Sequence, residues 1–194
     1  MNRFGYSRQG VTLIEMLVAV AVLGVILAVA IPSLTSFIER RRVVAAAGEV
    51  ANLFTFARSE ANVVSAYQVN VHLEPVPSAV GSFSCMRVSS VTGGTDLCRC
   101  DLAANFVCSI GGAKLLREFV LPHDSSVRFE TTGTWGFAAY VVPFARERRF
   151  ESVNAKVTVT GTKTGAQLRV EYNAAGRVRT CAPNSDFSGY PACT

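Results

Sequence analysis

The stretch Gly10-Val11-Thr12-Leu13-Ile14-Glu15 decides the plan of this 194-residue chain, because it places one carboxylate at the head of a long apolar segment. After Glu15, the next charged residue is Glu39. Residues 11–34 would form a helix of about 36 Å, which is long enough to cross the core of a bilayer. A charge inside such a helix costs roughly 2.5–3.5 kcal/mol on insertion scales, so Glu15 is a candidate functional residue.

The residues leave two ordinary interpretations of this N-terminal segment. The short polar start carries Arg3 and Arg8, and Ala28-Val29-Ala30 fits a signal-peptide cleavage site after an apolar stretch. The same segment is also long enough to remain as an uncleaved membrane anchor. Neither interpretation accounts for a glycine and a carboxylate standing together where the apolar run begins.

The pattern G-V-T-L-I-E resembles the type IV prepilin signal. In that family a membrane peptidase cuts after the glycine, and its N-methyltransferase activity methylates the new N-terminus. Gly10 matches the cleavage position, Val11 stands where Phe or Met is commoner, and Glu15 matches the acidic residue. The resemblance implies a single-pass protein of the bacterial inner membrane with a periplasmic globular domain. It then joins other pilins in a pilus or pseudopilus at the cell surface.

Ion pairing offers a physical reason for such a transfer out of the membrane. Cutting after Gly10 creates an α-amino group on Val11, and Glu15 of one subunit can pair with that amine on a neighbour. A carboxylate is costly in lipid and less so when it is paired, so pairing favours a helical bundle. Gly24 and Pro32 lower helix propensity and predict local loosening of the apolar helix.

Four segments are predicted along the chain: a leader at 1–10, an apolar helix at 11–38, its amphipathic continuation at 39–66 and a globular domain at 67–194. The helix is indicated by apolar residues at spacings of three and four, and the strands by alternation. Strands are predicted within residues 69–73, 86–91, 115–121, 126–130, 135–144, 156–160 and 167–172. A long helix followed by antiparallel strands is an α+β plan. With the prepilin signal it resembles the type IV pilin fold, a helical spine packed on an antiparallel β-sheet.

No group of residues in the sequence has the spacing of a catalytic or metal site. His72 and His123 are isolated, and Asp96, Asp101 and Asp124 lack the spacing of a calcium loop. A Gly-rich phosphate-binding loop is also absent from the sequence. We therefore predict no enzyme activity, no cofactor and no metal.

All six cysteines follow the apolar segment: Cys85, Cys98, Cys100, Cys108, Cys181 and Cys193. An even count beyond an export signal favours disulfides, of which fifteen pairings are possible. Zinc is the competing interpretation for Cys98, Cys100 and Cys108, but their spacing is uncommon for zinc and no histidine is near. We predict a Cys181–Cys193 bond, because it would close a C-terminal loop rich in Pro, Ser, Gly and Asn.

Positive charge is concentrated between residues 145 and 180, where eight cations and three anions give a net charge of +5. Strand alternation places Arg169 on the face opposite Leu168 and Val170. After a turn that suits a positive φ at Gly176, Arg177 and Arg179 would share one face. A polyanion site is predicted at Lys156, Lys163, Arg148, Arg149, Arg169, Gly176, Arg177 and Arg179.

The spacing of the last two arginines suits a nucleic-acid backbone. Their guanidinium groups would lie about 6.5–7 Å apart, close to the phosphate spacing of a strand, and guanidinium binds phosphate oxygens in pairs. The alternative is that Arg177 and Arg179 are a solvated edge, where cations discourage edge-to-edge pairing. The sequence leaves both interpretations open.

Residues 168–179 close with a strand, a turn and G-R-x-R, which resembles the C-terminal signature of the GspH/FimT group of minor pilins and pseudopilins. Residues 53–61 resemble the same group's L-x-x-A-R-x-E-A segment, and residues 129–133 its F-x-x-x-G strand end. The FimT branch implies a minor pilin that binds extracellular DNA for natural transformation. The GspH branch implies a structural pseudopilin of a type II secretion system, and G-R-x-R does not separate the two.

Overall fold

The computed structural model describes residues 10–63, 68–74, 83–91, 114–122, 125–134, 141–144, 154–184 and 187–194. Within these residues, one helix, α1 (Leu13–Val63), precedes the strands. They are β1 (Gln68–Glu74), β2 (Phe83–Val91), β3 (Lys114–Pro122), β4 (Val127–Thr134), β5 (Val141–Phe144), β6 (Asn154–Gly161), β7 (Gln167–Asn173) and β8 (Val178–Cys181). The chain forms two compact units, Met1–Ile38 and Glu39–Thr194.

The helix is continuous through Gly24 and Pro32, so the loosening predicted there is not seen. A proline removes one backbone hydrogen-bond donor, but the residues of the neighbouring turns keep their backbone hydrogen bonds and the helix continues. α1 is described as far as Val63, and the predicted boundary at residue 66 falls within residues 64–67, which lie outside the described residues. By length and composition, α1 can cross a membrane.

The described apolar side chains of the first unit lie on the surface. Leu13 is 79% exposed and Val25 is 69% exposed, and the helix presents such residues on every side. A helix that is apolar all round needs lipid or other helices as its surroundings. We therefore expect the first unit to be covered by lipid or by other helices.

The strands form two antiparallel sheets, where the sequence predicted one. The first has the order β3-β2-β1-β5 and the second the order β4-β6-β7-β8. Alternation shows which face of a strand is buried, but the choice of neighbouring edge depends on the whole fold. The predicted strand at 135–144 is seen only as β5, because residues 135–140 lie outside the described residues.

The second half of α1 and the strands enclose the core of the second unit. Val50 and Phe54 of the helix are fully buried, as are Phe129 of β4 and Leu168 of β7. The rings of Phe54 and Tyr172 stack with centroids 5.3 Å apart. Because the inward residues of β7 alternate with polar ones, this packing turns Arg169 and Glu171 to the other face of the second sheet.

A buried carboxylate joins α1 to the second sheet. Glu39 is only 2% exposed, and its Oε1 accepts hydrogen bonds from Lys163 N (3.0 Å), Thr164 N (2.8 Å) and Thr164 Oγ1 (2.9 Å). Gly161 leaves space for this carboxylate. A Cβ at Gly161 would overlap Glu39 Oε1 and would lie 2.9 Å from Thr164 Oγ1. Sequence analysis did not single out Glu39, because a glutamate followed by three arginines looks like surface.

Candidate functional site

The predicted processing residues lie at the start of α1. Gly10, Val11 and Glu15 are all exposed. Glu15 Oε2 accepts hydrogen bonds from Thr12 N (2.8 Å) and Thr12 Oγ1 (2.9 Å), and Glu15 N donates to Thr12 Oγ1 (3.3 Å). This reciprocal pair is a capping box, which satisfies backbone groups at the helix N-terminus.

At the other end of the chain, a tight turn between β7 and β8 presents the predicted arginines. Gly176 has a φ of 74°, as predicted for this turn, and Gly176 N donates to Asn173 O (2.8 Å). Asn173 Oδ1 accepts from Arg177 N (3.0 Å), so one asparagine fixes both ends of the turn. β8 then pairs with β7 so that Arg179 lies opposite Glu171.

Arg58 of α1 holds this turn from the helix side. Its Nη1 donates to the carbonyl oxygen of Gly176, and a Cβ at Gly176 would lie 2.9 Å from the guanidinium carbon. Gly176 is thus needed for its positive φ and for the approach of Arg58. Burial raises the pKa of the nearby Tyr172 hydroxyl, and the Arg58 cation opposes that rise. The contact joins the two segments, 53–61 and 168–179, that carried the family resemblance.

An open cleft of about 360 Å³, here called the C-terminal cleft, lies beside this turn. It is lined by Asn154, Lys156, Glu171, Asn173, Arg177, Arg179 and Thr194. Both predicted arginines are exposed and face it. Arg179 Nη2 donates to Ala192 O (3.0 Å) and Nη1 to Thr194 Oγ1 (3.5 Å), whereas the Arg177 guanidinium has no partner within the described part of the chain.

A disulfide between Cys181 and Cys193 holds the C-terminal segment against β8, with a Cα–Cα distance of 5.0 Å. The predicted pairing is confirmed. Ala182 N donates to Pro191 O (2.9 Å) and Cys193 N to Ala182 O (3.3 Å), which completes the attachment. The segment therefore brings Ala192 and Thr194 to Arg179.

The other cysteines bear on the zinc interpretation only in part. Cys85 is disulfide-bonded, and Cys98, Cys100 and Cys108 lie outside the described residues. Glu171, Cys181 and Cys193 bring their ligand atoms within 4.8 Å of one another. The two sulfur atoms are bonded to each other, so this cluster offers no thiolate to a metal.

The remaining predicted cations are not all gathered at the cleft. Lys156 and Arg169 both pair with Glu171 Oε1, at 4.0 Å and 3.8 Å, and their side chains are only about a quarter exposed. Lys163 lies in the β6–β7 turn, about 20 Å away along β7. Arg148 and Arg149 lie outside the described residues. Arg177 and Arg179 are therefore the two exposed cations at this site among the described residues.

Comparison with known proteins finds one matching family model, the prokaryotic N-terminal methylation motif, over residues 6–31. No curated protein matches the chain. Among solved structures, the chain is similar to the minor pseudopilin EpsH from the type 2 secretion system of Vibrio cholerae and to the type IV minor pilin FimU of Pseudomonas aeruginosa.

The EpsH likeness has a TM-score of 0.47 and 11% identity, and covers 74% of this chain and 98% of that one. The FimU likeness has a TM-score of 0.48 and 18% identity, and covers 78% of this chain and 99% of FimU. The N-terminal match is specific: the chain carries a prokaryotic methylation motif at the head of an apolar helix that fits membrane anchoring.

Proposed function

We propose that this protein is a minor pilin-type subunit, stored in the inner membrane and then assembled with other pilins into a filament. The methylation motif at residues 6–31 carries the proposal, because it extends into the first part of α1, up to residue 38, whose described apolar side chains are exposed. In a filament those side chains would pack on neighbouring helices, and Glu15 would pair with the Val11 amine of a neighbour. The role is one of assembly and binding, without catalysis.

Processing gives the first test of this proposal. In cells that contain a prepilin peptidase, we expect the filament-associated protein to begin at a methylated Val11, since the peptidase cuts after Gly10. Intact-mass spectrometry of sheared filaments measures both changes. A Gly10→Val variant should remain uncut in the membrane. Filament protein that still carries residues 1–10 would contradict the proposal.

We infer that the C-terminal cleft binds extracellular DNA through its phosphates, as a step towards DNA uptake. The observation behind this inference is that Arg177 and Arg179 line one cleft, and that Arg177 has no partner among the described residues. Guanidinium groups bind phosphate oxygens in a paired geometry. Binding of this kind depends on the backbone and is tolerant of base sequence.

The DNA proposal predicts a salt-dependent affinity. Two arginines and a few neighbouring cations make about three to five phosphate contacts, so a plot of log affinity against log salt should have a slope of roughly −3 to −4.5. Fluorescence anisotropy of a labelled 20-base-pair duplex, titrated with the detergent-solubilised full chain, measures that slope. Duplexes of unrelated sequence should bind alike. A slope near zero would reject a phosphate site.

A structural pseudopilin is the second candidate, and one observation favours it. Lys156 and Arg169 are already paired with Glu171, and Arg179 is already bonded to Ala192, as in a cluster that only stabilises the fold. A subunit of that kind would assemble into the filament and give no anisotropy change with DNA. The same titration therefore separates the two candidates.

A further inference from the structure

We propose that Glu171 is an internal counter-ion that limits the affinity of the C-terminal cleft for phosphate-bearing ligands. The inference rests on the proposed phosphate-binding role of that cleft. It assigns a specificity-determining role to the one acidic side chain among the described residues that line it. Glu171 follows Arg169 by two residues in β7, so strand alternation places both on the same face.

The register of the second sheet places Glu171 between two cations. Lys156 of β6 and Arg179 of β8 are its direct neighbours on the two adjacent strands. Side chains directly opposite each other in antiparallel strands start about 5 Å apart and point to the same face. A row of positive, negative and positive charge therefore crosses the floor of the cleft.

Glu171 also forms ion pairs with two cations, Lys156 and Arg169. Its side chain is 15% exposed, and its Oε1 lies 4.0 Å from Lys156 Nζ and 3.8 Å from Arg169 Nη1. These distances are longer than a good hydrogen bond, and Oε1 has no hydrogen-bond partner among the described residues. Oε1 therefore interacts with the two cations by charge, without a hydrogen bond from the described residues.

A phosphate in the cleft would meet Glu171 as a like charge. Two charges about 6 Å apart repel each other appreciably at the effective dielectric of a protein surface. A bound phosphate must also compete with the carboxylate for Lys156 and Arg169. Removing the negative charge of Glu171 should therefore strengthen phosphate binding, both by ending the repulsion and by freeing those two cations.

The test is a gain of affinity in Glu171→Gln, which keeps the size and polarity of the side chain. In about 0.1 M salt we expect duplex DNA to bind about five- to tenfold more tightly, with a salt slope more negative by about 1 to 2. Glu130→Gln is the matched control, because it makes the same change in net charge. Glu130 pairs with Arg128 at 3.4 Å, and both side chains are exposed on β4. The affinity of this control should stay within twofold of wild type.

An amide spectrum like that of wild type shows that a gain of affinity does not come from damage to the fold. If wild type binds DNA, then unchanged or weaker binding by Glu171→Gln, with an amide spectrum like that of wild type, would overturn the inference. An equal gain in Glu130→Gln would also overturn it, since net charge alone would then be responsible.

A second probe separates this inference from the DNA proposal. Inorganic phosphate, titrated while the amide signals of Arg177 and Arg179 are followed by NMR, should bind Glu171→Gln more tightly than wild type. If DNA fails to bind either protein but phosphate shows this gain, the DNA proposal fails and the role of Glu171 stands. If phosphate binds both proteins equally or neither of them, the role of Glu171 is rejected.

Discussion

Replacing both Arg177 and Arg179 with glutamate is expected to weaken duplex DNA binding by about 100-fold or more in ~0.1 M salt. Each arginine would lose a charge-assisted hydrogen bond to phosphate, which is worth roughly 1.5–3 kcal/mol, and each new carboxylate would repel the same phosphate. The salt slope should also become less negative by about 1.8, because two phosphate contacts disappear. Anisotropy titrations of the full chain at several salt concentrations measure both quantities.

A matched control tests whether position or net charge is responsible. Arg128→Glu together with Lys163→Glu makes the same change in net charge. These two residues lie at the opposite end of the second sheet. Arg128 pairs with Thr160 near the end of β6, and Lys163 comes two residues after Gly161, the last residue of β6. We expect this control to lose only a few-fold in affinity. Equal losses in the two double variants would show that the cleft has no special role.

Folding must be intact for that comparison to be meaningful, and the structure indicates that it will be. Arg177 is exposed and its guanidinium has no partner among the described residues, so its replacement removes no contact there. Arg179 loses its bonds to Ala192 and Thr194, but the Cys181–Cys193 disulfide still holds that segment. Binding that survives the double replacement would reject these arginines as the DNA site.

The sequence was sufficient for the local features of the site. Alternation placed Leu168 and Val170 in the core, and the turn before G-R-x-R predicted the positive φ of Gly176. The cysteine-bounded loop predicted the disulfide between Cys181 and Cys193. All of these features depend on neighbours within about a dozen residues, where period and turn chemistry decide the outcome.

The features that the sequence did not predict all depend on long-range contacts. The bond from Arg58 to Gly176 joins residues 118 positions apart, and nothing local to either residue announces it. The pairing of Lys156 and Arg169 with Glu171 needs the strand register, which composition does not contain. A count of eight cations therefore overstated the positive charge available at the cleft. The sequence did predict that Arg177 and Arg179 share one face.

Replacing Glu39 with alanine is expected to lower the free energy of unfolding of the second unit by about 3 kcal/mol. The change leaves the amides of Lys163 and Thr164 without their acceptor. A hydrogen bond to a charged group contributes about 1.5–3 kcal/mol, and such contributions do not simply add. Denaturant unfolding of the full chain in detergent measures the difference. Faster hydrogen exchange at the Lys163 and Thr164 amides would locate it.

Glu49→Ala is the matched control for that measurement. Glu49 lies on the same helix and pairs with Arg117 at 3.1 Å, but both side chains are about 40% exposed. Exposed ion pairs contribute only about 0–1 kcal/mol, so this variant should unfold nearly as wild type does. If the two alanine variants were destabilised equally, burial would not be what makes Glu39 important.

The contribution of Glu39 should depend on pH with a definite sign. Burial raises the pKa of Glu39, but the hydrogen bonds from Thr164 and Lys163 outweigh it and hold the pKa below its ordinary value of 4.5. A carboxyl whose pKa is lowered by folding stabilises the fold fully above its unfolded pKa, and this stabilisation is lost as the pH falls through the folded pKa. Glu39→Gln lacks that titration, so the stability advantage of wild type over Glu39→Gln should be constant near pH 7 and shrink below about pH 4.5. An advantage that grew on acidification would mean that burial, and not the bonds from the β6–β7 turn, controls this carboxylate.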